Sequence, residues 1–199
     1  MTASTMPPWP HTAVVMIGGQ SRRMGTAKHE LTFEDGRTML ETTLDRLQCM
    51  SARQIISGPM DIQPEREHVT DLQPNRGPIG AIESVLKSNL DDRYLFVPCD
   101  MPRLTSEMLK RLADALEHAE AVVFEQGPRP VRPVLPLGLR CSTAANLQEL
   151  VEHETPSIHR FLETLHVAEV PLMDFEIDCL LNINTPEDWS TYLSTRESG

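Results

Sequence analysis

Ala13-Val14-Val15-Met16-Ile17 is an unbroken apolar run of strand length, and Gly18-Gly19 ends it. A strand that is apolar at successive positions is buried on both faces, the pattern of a parallel sheet covered by helices. The pattern returns in Gln54-Ile55-Ile56-Ser57, stopped by Gly58-Pro59, in Tyr94-Leu95-Phe96-Val97, closed by Pro98, and in Ala121 to Phe124. Helical spacing lies between these runs. Leu40, Leu44 and Leu47 repeat within about Thr38–Met50, and Ile79–Ser88 follows a turn at Gly77-Pro78. Met108, Leu112 and Leu116 follow the cap-like Thr105, with Glu107 placed to favour the helix dipole. Strands alternating with helices imply right-handed crossovers, hence a three-layer α/β/α Rossmann-like fold with a mostly parallel central sheet.

The second half carries more punctuation. Val131 to Leu137 contains Pro133 and Pro136, which predicts an edge or irregular strand. Helices are predicted over about Thr143–His153 and Ser157–Leu165, and His166–Val170 and Leu180–Ile183 are candidate strands. A last helix opens with Thr185 as N-cap, Pro186 in the first turn and Asp188 three residues after the cap. No repeat, low-complexity tract or long linker divides the chain. It reads as one domain over residues 1–199, with residues 1–11 a flexible N-terminal segment.

The 199 residues carry 18 Lys+Arg against 29 Asp+Glu, a net charge of −11. That balance argues against a general nucleic-acid binder or a basic membrane-surface protein. No apolar stretch approaches the roughly 20 residues needed to span a bilayer. Met1 to His11 lacks the basic and apolar regions of a secretory signal. Cys49, Cys99, Cys141 and Cys179 are scattered and form no C-x-x-C pair, as expected in a reducing cytoplasm. His153, His159 and His166 lack metal-pair spacing and read as surface residues. Methionines at helical spacing read as core filler.

The charge is uneven. Residues 1–30 hold Arg22, Arg23 and Lys28 against Glu30, a local balance of +2 that leaves −13 for the rest. These cations follow the first strand, in Gly18-Gly19-Gln20-Ser21-Arg22-Arg23-Met24-Gly25-Thr26-Ala27-Lys28. Three glycines let backbone N–H groups approach an anion, and Arg and Lys add full charges, so the loop points to phosphate. It matches neither G-x-x-x-x-G-K-[ST] nor G-x-G-x-x-G. Asp100, in Pro98-Cys99-Asp100-Met101-Pro102, lies just past an apolar run, where an α/β sheet has its ligand crevice. One such carboxylate suits Mg²⁺, which keeps several waters and takes one or two carboxylates plus substrate phosphates. A turn-capping role is the plain alternative for Asp100, as for Asp71.

The stretch Val14 to Gly25 with Lys28 resembles the opening signature of nucleotidyltransferases with a glycosyltransferase-A-like fold. More closely, the chain resembles the molybdenum cofactor guanylyltransferases, the MobA family. The match continues through Asp71, Gly77-Pro78-Ile79-Gly80, Pro98 to Pro102, and Asn182-Ile183-Asn184-Thr185-Pro186-Glu187-Asp188, in the family's order. The resemblance implies transfer of GMP from GTP to the terminal phosphate of Mo-molybdopterin, with Mg²⁺ as cofactor and pyrophosphate as by-product. It implies that Met16, Ile17, Gly18 and Gly19 line the nucleotide site, that Arg23 and Lys28 face phosphate, and that Asp100 holds the metal. Asp71 and Ser57 would bind nucleotide, Gly77 and Pro78 would lie against guanine, and Asn182 and Asn184 would sit on the pterin side. Molybdoenzymes or cofactor-delivery proteins are the implied protein partners.

Three positions depart from the family pattern: Ala27 where Asp is frequent, Met16-Ile17 for Leu-Ala, and Ser57 where Asn is common. The chemistry needs no strong base, because a phosphate monoester is already an anionic nucleophile near neutral pH. Positive charge and positioning are what it needs. Two rival readings stand beside it. One is a cytidylyltransferase or sugar-nucleotide transferase of the same superfamily; the other is a catalytically silent nucleotide or cofactor carrier.

Overall fold

The computed structural model describes residues 9–17, 27–74, 76–125, 134–153 and 156–196. The predicted strands and helices appear in the predicted order, except for the strand expected at Leu180–Ile183. They are β1 (Trp9–Met16), α1 (Met39–Gln48), β2 (Ser51–Ser57), β3 (His68–Val69), α2 (Pro78–Ser88), β4 (Arg93–Pro98), α3 (Ser106–Ala115) and β5 (Ala121–Phe124). Then come β6 (Leu137–Arg140), α4 (Ala144–His153), α5 (Ile158–Leu162), β7 (Val167–Val170) and α6 (Pro186–Arg196). One seven-stranded sheet has the order β3-β2-β1-β4-β6-β5-β7. β1, β2, β3 and β4 are parallel neighbours, β6 runs antiparallel to β4 and β5, and β7 is parallel to β5.

The continuous apolar runs are explained by burial on both faces. Ala13, Val15, Ile56, Leu95 and Val97 point to one layer, packed with Leu40, Leu44 and Leu47 of α1 and Leu109 and Leu112 of α3. Val14, Met16, Ile55, Tyr94 and Phe96 point to the other, with Ile82 and Val85 of α2, Leu147 of α4 and Phe161 of α5. Successive strand residues therefore serve opposite cores, which is why every position is apolar. Helix starts follow their local chemistry. Thr38 and Glu41 form a reciprocal capping box on α1, and the Thr105 hydroxyl accepts the Met108 N–H on α3.

Three sequence expectations need correction, and one strand was not foreseen. Of the segment given as residues 1–11, Trp9, Pro10 and His11 belong to β1, and the Trp9 N–H donates to Met50 O at 2.7 Å; residues 1–8 lie outside the described residues. Of the strand expected at Val131–Leu137, Leu137 opens β6, which follows the prolines and lies inside the sheet rather than at its edge; residues 131–133 lie outside the described residues. Pro cannot donate to a ladder, so pairing starts once the prolines are passed. The Leu180–Ile183 strand is absent. A 3-10 helix fills Asp174–Leu180, and Ile183 makes a single bond to this part of the fold, its N–H donating to Asp100 O at 2.8 Å. The two-residue strand β3 was not foreseen, since a pair of residues carries no periodicity.

Two features converge on the carboxyl edge of the sheet. The chain steps from β1 to β2 to β3 on one side, then returns to β4 on the other, so a topological switch lies between β1 and β4. In open α/β sheets that is where ligands bind. A third, small core of Phe33, Met39 and Ile183, with Trp189 and Tyr192, fixes α6 against the segment before α1. Trp189 and Tyr192 stack with ring centroids 5.6 Å apart, and Phe33 lies 5.1 Å from Trp189.

Candidate active site

Asp100 lies two residues past the end of β4, at the switch point. Its chain neighbour Cys99 is tied to β1, the Cys99 N–H donating to Met16 O at 3.2 Å. Lys28 opens a short 3-10 turn over Lys28–Glu30 and sends its ammonium across the crevice. Nζ lies 2.7 Å from Asp100 Oδ2 and 2.6 Å from Asn184 Oδ1. The two charged side chains are 19% and 16% exposed, so the pair is largely sheltered from water. The sequence separations are 72 and 156 residues, which makes this junction purely tertiary.

Asn184 is itself held. The Asp188 carboxylate accepts the N–H groups of Asn184 and Thr185, both at 2.9 Å, and the Asp188 N–H donates to Thr185 Oγ1 at 3.1 Å. This is the predicted N-terminal cap of α6 in full. The backbone N–H of Asn184, ahead of desolvation and the bonds from Thr185, keeps the Asp188 carboxyl below the ordinary aspartate value, and the Lys28 charge adds to this.

The other sequence-selected residues line the same edge. Met16 and Ile17 end β1 with buried side chains, and the Ile17 N–H donates to Ser57 O at 3.1 Å. Any ligand there meets mainly backbone. Ser57 ends β2, and its hydroxyl is buried without a hydrogen-bond partner among the described residues. Gly58 follows with φ +156°, and a Cβ there would run into Ile17 Cγ1, so glycine allows this close approach. Asp71 lies two residues beyond β3, exposed along its side, with partial desolvation raising its carboxyl above the ordinary value. Gly77 caps α2 and Pro78 is its first residue. Asn182, beside Ile183, has a buried Oδ1 without a partner among the described residues. Gly18, Gly19 and Arg23 lie outside the described residues.

Cys99 adjoins this site but supplies no nucleophile. Burial, ahead of the Asp100 charge, pushes its thiol up to about 12. All four cysteines are free thiols. His153, His159 and His166 are exposed, on α4, on α5 and just before β7. Among the described residues, no group of three or more His, Cys, Asp or Glu forms a metal cluster, and no helix is long and apolar enough to cross a membrane.

The helix cap at Gly77 yields a stability prediction. Its φ of 66° and ψ of −159° fall in a region that is open almost only to glycine. Gly77→Ala is expected to cost about 1–3 kcal/mol. A urea-unfolding midpoint unchanged from the parent would contradict this reading of the turn.

Residues 13–170 match the family model described as the MobA-like NTP transferase domain. The chain is 32% identical over 185 residues to a molybdenum cofactor guanylyltransferase of Xanthomonas euvesicatoria, spanning 92% of this chain and 93% of that protein. A probable molybdenum cofactor guanylyltransferase of Rhodopirellula baltica is 29% identical over 194 residues, covering 91% and 90% of the two chains. Among solved structures, molybdopterin-guanine dinucleotide biosynthesis protein A from Archaeoglobus fulgidus superposes with a TM-score of 0.77 at 22% identity, covering 95% of this chain and all of that one. A cytidylyltransferase from Thermus thermophilus, acting on 2-C-methyl-D-erythritol 4-phosphate by its name, shares the fold with a TM-score of 0.67 at 15% identity, covering 92% and 98%. A switch-point crevice bearing a lysine and an aspartate, together with these matches over most of the chain, identifies the protein as a nucleotidyltransferase of the MobA-like family.

Proposed function

We propose that the protein transfers GMP from GTP to the terminal phosphate of molybdopterin carrying molybdenum, releasing pyrophosphate. The observation that carries this reading is the meeting of Lys28 and Asp100 at 2.7 Å, at the one edge where an α/β sheet offers a crevice. The names of its relatives supply the nucleotide and acceptor.

In this reading the acceptor phosphate oxygen attacks the α-phosphorus of GTP. A new P–O bond forms there, the bond to the bridging α–β oxygen breaks, and pyrophosphate leaves with its electron pair. No residue needs to remove a proton, since the attacking phosphate is already ionised. The work of the chain is to gather anions and align them. Lys28, together with Arg23, neutralises the triphosphate. Met16 and Ile17 with Gly18 and Gly19 offer backbone to the nucleotide, Ser57 and Asp71 add side-chain contacts, and Gly77-Pro78 lies against guanine. The unpartnered Ser57 hydroxyl supports its part, because a buried polar group without a partner is costly unless a ligand completes it. Asn182, with its own orphaned oxygen, is assigned to the acceptor side.

The residues also fit a divalent cation. An ammonium already sits on the Asp100 carboxylate, and a single carboxylate beside a triphosphate is a donor set that suits Mg²⁺. Asp100 would hold it, and the ion would supply charge stabilisation to the triphosphate.

Pyrophosphate release from GTP and CTP, each with and without molybdopterin, tests the reading. GTP with acceptor is expected to exceed CTP by about a hundredfold in kcat/KM. Preference for CTP would overturn the base assignment. GTP binding without pyrophosphate release would point instead to a carrier.

A further inference from the structure

Two polar side chains are buried on α2, a helix otherwise committed to the core. Glu83 and Ser84 are 4% and 3% exposed, although Ile79, Ile82, Val85 and Leu86 around them pack into an apolar layer. Both reach back to the loop that precedes the helix. The Ser84 hydroxyl accepts the Leu72 N–H at 2.9 Å. Arg76 Nη1 donates to Glu83 Oε2 at 3.0 Å and to Gln73 Oε1 at 3.2 Å. The Arg76 stem lies over the first turn of α2, where a Cβ on residue 80 would come 2.8 Å from Arg76 Cβ, so glycine there makes room for it. Only 13% of the Arg76 side chain is exposed. The other Glu83 oxygen accepts from Lys87 Nζ at 2.7 Å, one turn further along the same helix.

A buried ion pair is a weak stabiliser, because desolvating both charges offsets their attraction and apolar residues of similar volume often serve as well. What the pair supplies here is a fixed geometry at the exit of the 71–77 loop. We propose that Glu83 is a positioning residue for the nucleotide, acting through Arg76 to hold this loop in its binding shape before the nucleotide arrives. This rests on the reading that Asp71, Gly77 and Pro78 face the nucleotide. Residues 71–74 are exposed, and a cavity of about 660 Å³ opens between Gln73, Arg76, α2 and α4, so the polar ties to α2 take the place of packing. A loop ordered in advance loses less freedom when ligand binds. Lys28 and Asp100 belong to other segments, so the tether bears on nucleotide binding rather than on the transfer step.

The test is a double-mutant cycle of Glu83→Met and Arg76→Ala, read by equilibrium binding of a non-hydrolysable GTP analogue and by steady-state kinetics. Methionine fills a similar volume in a helix but accepts nothing from Arg76 in the way a carboxylate does. Glu83→Met is expected to weaken analogue binding about tenfold and to raise the KM for GTP alike, the scale of one charge-assisted hydrogen bond. Its kcat is expected to stay within about twofold of the parent's, the mark of lost ground-state binding. In the Arg76→Ala background the same change is expected to have less than about a twofold effect, since residues that act as a unit are not additive. Lys87→Ala removes the other partner of the same carboxylate without touching the loop, and is expected to bind within about twofold of the parent. Equal losses in both backgrounds, a fall in kcat with KM unchanged, or a Lys87→Ala loss matching that of Glu83→Met would each overturn the proposal. So would parent-like binding in Arg76→Ala, whatever the folding of the other variants. Should Glu83→Met not fold by circular dichroism, Glu83→Gln, which keeps the size and loses the charge, takes its place in the cycle. Failure of the parent itself to bind the analogue would overturn the GTP reading and the proposal with it, whereas every other outcome leaves that reading standing.

Discussion

Lys28→Ala is expected to lower turnover by about a hundred- to a thousandfold, the scale of removing one preorganised charge from a developing anion. The lysine is sheltered, with only 19% of its side chain exposed, so its charge acts through a medium less screening than water. Water cannot take its place with a full charge. The fold has little stake in it, because Lys28 sits in a short turn outside both main cores. Thermal unfolding followed by circular dichroism should therefore stay cooperative. A further signature separates a lost charge from a damaged site. With no ammonium on Asp100, Mg²⁺ binding measured without nucleotide should tighten rather than weaken. Near-normal turnover in this variant would remove Lys28 from the chemistry.

Asp100→Ala is expected to cost about a thousandfold or more, since loss of a cation clamp forfeits several kcal/mol and each 1.4 kcal/mol is a factor of ten. The backbone bond from Ile183 to Asp100 O survives the change, so the 182–184 segment keeps its place. The variant should differ from Lys28→Ala in its response to metal. Its residual turnover should need far more Mg²⁺, whereas Lys28→Ala should saturate at ordinary concentrations. Activity and metal dependence both like the parent's would exclude Asp100 as the holder of the cation.

Legibility in the sequence followed periodicity. Val14-Val15-Met16-Ile17, Ile55-Ile56 and Tyr94 to Val97 announced strands because both faces are covered, leaving no polar position to confuse the pattern. The α6 start was equally plain, because Thr185, Pro186 and Asp188 cap by local bonds. Where structure depends on remote partners the signal failed. β6 takes its place between β4 and β5 although prolines precede it, and β3 has only two residues. Leu180–Ile183 has strand-like composition but supplies one bond to Asp100 O and otherwise continues from a 3-10 helix.

The site divides in the same way. Lys28 and Asp100 were selected from sequence because each follows an apolar strand, and strand ends are where a parallel sheet opens to ligands. Asn184 was selected for the pterin side, and its contact with Lys28 was not visible, since the two are 156 residues apart. What the chain determines by itself is local: where strands stop, which residues cap helices, and which charges gather in one loop. Only the tertiary fold decides which strand ends become neighbours. It does so by burying the two layers of apolar side chains, which sets β1 beside β4 and packs α6 against Phe33. That packing brings an aspartate and an asparagine from two distant segments each within 3 Å of one lysine ammonium from a third.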